Sequence, residues 1–325
     1  MKKNVLLVND TSLICHHGCT LLMSIIYKEF KKNNLFIKDK IYFEQNLLEF
    51  FDKNKEIYDI ILINGEGTIH GKQNADKKKV NEILQFIKKI KKKSDTPIII
   101  FNSSISSLNI KQLKILKLVN KIYVREEISY RYLKKNNIVS KIIPDFLSLM
   151  KFDKQGKGPK TIVTDSSIRA KTNFLREFSK ENNFSYQPLL YNNYFRYLRF
   201  LIIKIFLPLR LSLPIKFFLS MKMRYVLKFL QNFENSKFVI TGRFHAIFIA
   251  IAAKKPFYTF EGDTHKVRGL IKMIGLNSRI IDIKNLYNQS LTSNKLSEIE
   301  KKKIYKFNKN SKKLVASFFD ELNNL

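Results

Sequence analysis

The stretch that decides the fold is "VITGRFHAIFIAIAAKKP", Val239 to Pro256. It opens on a β-branched apolar run, turns at Thr241 and Gly242, and continues as an apolar run of helical length that stops before Lys254, Lys255 and Pro256. A strand feeding straight into a helix is half of a βα unit, the building block of parallel sheets. Arg243 and His245 stand at the seam. Ligands of parallel sheets sit beyond the carboxyl ends of the strands, so this is where binding residues belong. The same two residues also fit a plain reading as polar caps on a helix start. The neighbouring motifs choose between the two.

Outward from this stretch the alternation repeats. In the first half, strands are expected at Val5–Val8, Ile41–Phe43, Ile60–Ile63, Ile98–Phe101, Ile122–Val124 and Ile142–Ile143, with amphipathic helices such as Val80–Lys92 and Ile110–Val119 between them. "KFDKQGKGPK", Lys151 to Lys160, lacks periodicity and carries two glycines and a proline, as a linker does. A second alternation follows, with strands expected near Thr161–Val163, Phe238–Ile240, Phe257–Thr259 and Ile280–Ile283, and helices at Ala170–Glu181, His245–Ala253 and Lys266–Met273. One or two helices close the chain between Leu296 and Leu322. The pattern predicts an α/β protein of two Rossmann-like domains, 1–150 and 151–325, facing a cleft in the GT-B manner.

The polar motifs fall where that architecture wants them. "NDTS", "NGEGTIH", "REE" and "PD" follow strands of the first half, and "TDSS", "TGRFH" and "EGDTHK" follow strands of the second. All five histidines (His16, His17, His70, His245 and His265) lie in or beside these junctions. At a helix start the free backbone N–H groups favour an anion, and Arg243 adds a fork suited to phosphate or carboxylate. His245 is placed to deliver a proton.

Composition narrows the class. The chain has 325 residues with 45% hydrophobic content and a formal charge of +33, which raises nucleic acid and anionic membrane as partners. The lysines are scattered along helix faces and beside asparagine, and no recognition module for nucleic acid is visible, so nucleic acid is not the expected partner. Cys15 and Cys19 are the only cysteines, which fits a reducing cytoplasm. The apolar run Val5–Val8 is too short for a secretory signal and reads as a strand, and no segment is long enough to span a bilayer. One segment breaks the alternation. Between Asn182 and Phe233 there is no acidic residue, while Arg196, Arg199, Lys204, Arg210, Lys216, Lys222, Arg224 and Lys228 punctuate an apolar and aromatic background broken at Pro208 and Pro214. This basic insert, 194–233, reads as amphipathic helices for an anionic membrane surface, or as a hairpin packed on the second domain with its basic side solvated.

The ordered motifs resemble the polysaccharide pyruvyl transferase family, from Val5 to Leu276. The resemblance is carried by Arg243, Phe244, His245 and Ala246, then Pro256, then "THKVRGLIKMIGL" with Lys266, and in the first half by "INGEGTIH", "YVREEISYRYLKKNNI" and "IPD". It implies a GT-B-like transferase of cell-surface polysaccharide assembly that passes the pyruvyl unit of phosphoenolpyruvate to sugar hydroxyls as a ketal. It further implies that Arg243 holds the donor's anionic groups, with Arg125 as a second contact and His245 as general acid. His265 and Lys266 complete the anion site. No cofactor or metal is implied, and the acceptor would be a lipid-linked or polymeric glycan at the inner face of the cell membrane.

The chain departs from the family where consecutive glycines are usual and it has Gly65, Glu66 and Gly67. A carboxylate repels a phosphate, so Glu66 is expected on the acceptor side as a general base, with His70 to tune it. Asp10, Thr11, His16 and His17 read as a sugar-reading group at a helix start. Cys15, His16, His17 and Cys19 invite a zinc site, but adjacent ligands in one short stretch rarely meet tetrahedral geometry unaided. Glu66, Asp145 and His245 also fit a rival, a Kdo- or sialyl-type glycosyltransferase with a nucleotide-activated acidic sugar, in which Asp145 serves as nucleophile or base or simply caps a helix. A non-catalytic membrane-binding protein on the same fold is the third reading.

Overall fold

The computed structural model describes residues 3–54, 56–71, 74–152, 156, 158–209, 211–289 and 295–325, without the side chains of residues 68 and 74–76. Arg210 and residues 153–155 and 157 of the expected linker therefore lie outside the described residues. The chain divides into two compact units, one of 1–11, 26–146 and 311–325, the other of 12–25 and 147–310. The chain thus passes from one to the other at 11/12, 25/26, 146/147 and 310/311.

In the first unit β1 (Lys3–Asp10), β2 (Leu35–Tyr42), β3 (Ile60–His70), β4 (Ile98–Ser106), β5 (Lys121–Val124) and β6 (Lys141–Ile142) form one sheet in the order β2-β1-β3-β4-β5-β6. Every pairing between them is parallel. The connecting helices are α1 (His17–Lys32), whose residues up to Ile25 belong to the second unit, α2 (Leu47–Lys53), α3 (Asn74–Lys93), α4 (Ile110–Leu116) and α5 (Glu127–Lys135). Runs such as Ile98–Phe101 are buried throughout, as strands covered on both faces must be. Val8, Ile63 and Ile100 pack with Val80, Ile83 and Ile87 of α3 in one apolar core.

In the second unit β7 (Lys160–Ser166), β8 (Ser185–Tyr186), β9 (Ser236–Gly242) and β10 (Phe257–Thr259) form a parallel sheet in the order β10-β9-β7-β8. Around it run α6 (Arg169–Glu181), α7 (Asn193–Leu201), α8 (Ser212–Glu234), α9 (Phe244–Ala252) and α10 (Lys266–Ile274). The closing segment is a single helix, α11 (Glu298–Asn323). From Ser311 onward it belongs to the first unit, where Glu321 holds Lys141 at 2.7 Å and the Tyr123 hydroxyl at 2.8 Å.

Three expectations are corrected. Ile280–Ile283 is not a strand: Ile280 makes one isolated parallel bridge to Thr259, and a 3-10 helix begins at Ile283. Pro214 does not interrupt the insert. It sits in the first turn of α8, where its missing N–H removes no intrahelical bond. Lys222 is not on a solvated face but fully buried, its ammonium donating to the carbonyls of Ser12 and Ile14, the latter at 2.6 Å.

Candidate functional site

Topology marks the place in each unit. In the first sheet the chain leaves β1 toward β2 on one side and returns as β3 on the other, so the order reverses between β1 and β3. A crevice opens at the carboxyl ends of strands on either side of such a switch point. Asp10 ends β1, and Glu66 lies in the carboxyl half of β3.

The backbone is strained at that level. Asn9, Glu66 and Asn102 adopt φ of 65°, 38° and 51°, and the strand register shifts between Val8 and Asp10, between Glu66 and Ile69, and between Ile100 and Ser103. Left-handed non-glycine residues and bulges gathered at one strand level are a signature of sites rather than of cores. An amide network spans the three strands: Asn9 Nδ2 donates to the Asn64 carbonyl at 2.5 Å, and Asn102 Nδ2 to Asn64 Oδ1 at 3.1 Å.

Glu66 is 6% exposed and accepts from Thr11 Oγ1 and, at 3.3 Å, from Asn64 Nδ2. Burial raises its pKa, against the lowering pull of Thr11 and Arg125. It is a carboxyl whose affinity for a proton is enhanced, as a base requires. Arg125 donates from Nη1 to Asp145 at 2.8 Å and from Nε to Ser104 Oγ at 2.9 Å, and both members of the ion pair are buried. Asp10 accepts from the Tyr27 hydroxyl and lies 3.7 Å from Lys40. His70 closes β3 opposite Ser106 and is 5% exposed.

In the second sheet the order reverses between β7 and β9. Asp165 and Ser166 end β7, and Gly242 ends β9 with Arg243 next in the chain. Arg243 donates from Nε and Nη2 to Asp165 Oδ2, the first at 2.9 Å. Its Nη1 carries no hydrogen bond to another described residue. Arg243 is also the N-cap of α9, and its side chain makes no capping bond there; the N-terminal end of a helix favours an anion.

His245, in the first turn of α9, meets the residues that open α1. The rings of His16 and His245 lie 5.4 Å apart edge to face, and the Cys19 amide donates to His16 Nδ1 at 3.3 Å. Gly18 makes the approach feasible, because a Cβ there would overlap the His245 ring. His16 has a pKa well below 6.5, chiefly from burial, with His245, Arg243, His17 and Lys266 adding to the effect. Lys266 at the start of α10 is thus within electrostatic reach, and His265 is the residue before it. The positive charges around His16 add to the effect of burial on it, and positive charge of this kind favours an anion beside it.

The residues expected around the acceptor do not fall in one unit: Asp10, Thr11, Glu66 and His70 belong to the first, His16 and His17 to the second. His17 stacks on Phe229 at 4.4 Å and packs at a tilt against Tyr191 at 4.2 Å, lining an open cavity of about 390 Å³ with Gln187, Asn192 and Lys228. The side chains that converge as possible metal ligands are His16, Cys19 and His245, with ligand atoms within 4.8 Å of one another, not the Cys15–Cys19 run. Two imidazoles and a thiol suit zinc. The Arg243 and Lys266 charges that act on His16 oppose a cation there.

The carboxylate that sets Arg243, Asp165, enters the sequence reading only within "TDSS", one of the polar groups that follow strands. Its signal was position: the last acidic residue of the strand that flanks the reversal.

A family model described as "Polysaccharide pyruvyl transferase" matches residues 15–264, most of the chain. The chain belongs to the polysaccharide pyruvyl transferase family. That is a family of enzymes, and the match spans His16, His17, Glu66, Arg125, Asp145, Arg243 and His245. None of the curated proteins matches the chain by sequence. Among solved structures, an uncharacterized protein of Klebsiella pneumoniae is similar at 16% identity with a TM-score of 0.54, over 86% of this chain and 93% of that one. An alpha-glucosyltransferase in complex with UDP and DNA aligns at 9% identity with a TM-score of 0.45, over 95% and 90%. The Klebsiella likeness is one of fold.

Proposed function

We propose that this pyruvyl transferase family member passes the enolpyruvyl unit of phosphoenolpyruvate to a pair of sugar hydroxyls, forming a ketal and releasing phosphate. The observation that carries the reading is the Arg243 edge, anchored by Asp165 at the start of α9, beside His16 and His245. A phosphate or carboxylate there meets helix N–H donors and a guanidinium held in direction by Asp165. Protonated, His245 gives its proton to the methylene carbon of the donor. Carbon 2 then takes two hydroxyl oxygens in turn and the carbon–oxygen bond to phosphate breaks. Of the two hydroxyl protons lost, one restores the acid and one leaves with phosphate. Glu66, in the first unit, has the raised proton affinity that a base needs, and its acceptor-side role is a separate proposal. The GT-B-like reading of the two units is part of the same proposal and is supported by their two separate parallel sheets. The glycan acceptor and the role in surface-polysaccharide assembly follow from the family alone.

The nucleotide-sugar reading asks Asp145 to act as nucleophile or base. Its ion pair with Arg125, buried on both sides, works against that. The test is phosphate release from phosphoenolpyruvate in the presence of glycan acceptors, with a thermal-shift panel of nucleotide sugars beside it. Phosphate release that needs acceptor and is lost in His245→Ala supports the proposal. Stabilisation by a cytidine nucleotide and none by phosphoenolpyruvate overturns it.

A further inference from the structure

Half of the exposed large apolar and aromatic side chains of the described residues lie between Tyr194 and Leu227, on the α7–α8 hairpin. The two helices are joined by a π-helical turn, Ile202–Phe206. One face of α8 is buried in the second unit through Ile215, Phe218, Lys222, Val226, Phe229 and Phe233, spaced three or four apart. The opposite face repeats with the same period: Leu213, Lys216, Phe217, Arg224, Leu227 and Lys228 are exposed. A helix already anchored on one side has no folding reason to carry a second apolar stripe. Yet Leu213 is 77% exposed, Phe217 67% and Tyr197 62%. Soluble surfaces rarely gather such side chains contiguously unless something covers them.

The charges say what covers them. No acidic residue occurs from Asn182 to Phe233, and Arg196, Lys204, Lys216, Arg224 and Lys228 stand exposed among the aromatics. Aromatic and aliphatic side chains interleaved with cations on a short hairpin fit the headgroup region of an anionic bilayer, where apolar groups enter the acyl boundary and cations stay with the phosphates. A nucleic acid would use the cations and leave Leu213 and Phe217 in water. No helix of the described residues is long and apolar enough to cross a membrane, so the contact is superficial.

We propose that the α7–α8 hairpin docks the protein on an anionic lipid surface. This does not depend on the catalytic assignment. The experiment is vesicle flotation of the full chain with phosphatidylcholine alone and with equal parts phosphatidylglycerol, at low and high salt, beside heparin binding and sedimentation. An apolar variant (Phe200→Ser, Leu213→Ser, Phe217→Ser) and a charge variant (Arg196→Gln, Lys204→Gln, Lys216→Gln, Arg224→Gln) are compared. All these side chains are exposed, so circular dichroism and the thermal midpoint should stay at wild-type values. The wild type should float with the anionic vesicles and less so in high salt. The charge variant should lose roughly fivefold per cation removed, and the apolar variant at least about tenfold on vesicles with heparin binding unchanged. The proposal is overturned if the apolar variant binds vesicles like the wild type. It is also overturned if the protein binds heparin but no vesicle, or if it binds no vesicle and the apolar variant instead dissolves a dimer.

Discussion

Acid should destabilise this protein through His17, by an amount that can be worked from its surroundings. The ring is stacked on Phe229 and packed at a tilt against Tyr191, and burial, with the Lys222 charge behind it, lowers its pKa from 6.5 to about 4. The folded state therefore refuses a proton that the unfolded chain accepts. Above pH 6.5 neither state is protonated and nothing is lost. As pH falls through that value the unfolded state gains protons alone, and the loss saturates below about pH 4. Integrating the linkage gives about 2 kcal/mol lost between pH 7 and pH 5, and about 3 kcal/mol at the limit. His16 is shifted the same way and adds to it. The informative variant is His17→Phe, which keeps the stacking and removes the titration. Its packing change does not depend on pH, so it cancels when stability at pH 7 is compared with stability at pH 5. Urea unfolding at the two pH values should show the variant losing about 2 kcal/mol less than the wild type. Equal losses would mean that His17 titrates as in the unfolded chain and that the described burial is wrong.

Lys222→Met keeps the stem and removes the ammonium that holds the Ser12 and Ile14 carbonyls. It should destabilise by about 1–3 kcal/mol and raise the His17 pKa, read by NMR titration. Gly18→Ala would gain about 1 kcal/mol from helix propensity in open space, but the new methyl overlaps His245. It should instead lower both the thermal midpoint and turnover. Arg125→Met or Asp145→Asn leaves one buried charge alone and should cost about 3–5 kcal/mol, with the double variant closer to wild type than the sum of the singles, in urea unfolding. Asp165→Asn keeps the shape of the Arg243 contact and Asp165→Ala does not, so the KM for the donor should rise in the order wild type, Asn, Ala.

Much of the architecture was legible because parallel strands covered on both faces must be apolar along their whole length. Ile60–Ile63, Ile98–Phe101 and Phe238–Ile240 announce themselves for that reason. The same rule misled at Ile280–Ile283, whose β-branched run finds only one bridge partner. Short local windows also hide contacts that close over long separations. Nothing near Glu321 points to Tyr123 or Lys141, and nothing near Lys222 points to the carbonyls of Ser12 and Ile14. The site was legible as positions after strands. Which of those positions share a cluster was not, because that depends on the order of strands in each sheet. His16 meets His245 while its neighbour His17 stacks elsewhere, a difference of side-chain direction within one helix turn.

The charge of +33 is the loudest feature of the composition and the least informative about chemistry. The cations that bear on mechanism are those that the fold has had to compensate. Arg125, Lys222 and Arg279 are 2%, 0% and 4% exposed, and each has its own acceptor: Asp145, the Ser12 and Ile14 carbonyls, and Glu300. A buried cation whose partner is removed destabilises by several kcal/mol, so loss of function at these three positions has a structural explanation first. Arg243 differs. Its side chain is 17% exposed and Asp165 engages only its Nε and Nη2 atoms. Asp165 fixes the direction of half of the fork; on the proposed reading the other half meets the donor. An arginine anchored in this way offers an incoming phosphate or carboxylate a cation that needs no reorganisation, which is the condition under which electrostatic stabilisation is largest. A surface lysine supplies the same formal charge without that condition, which is why counting charges could not have found the site.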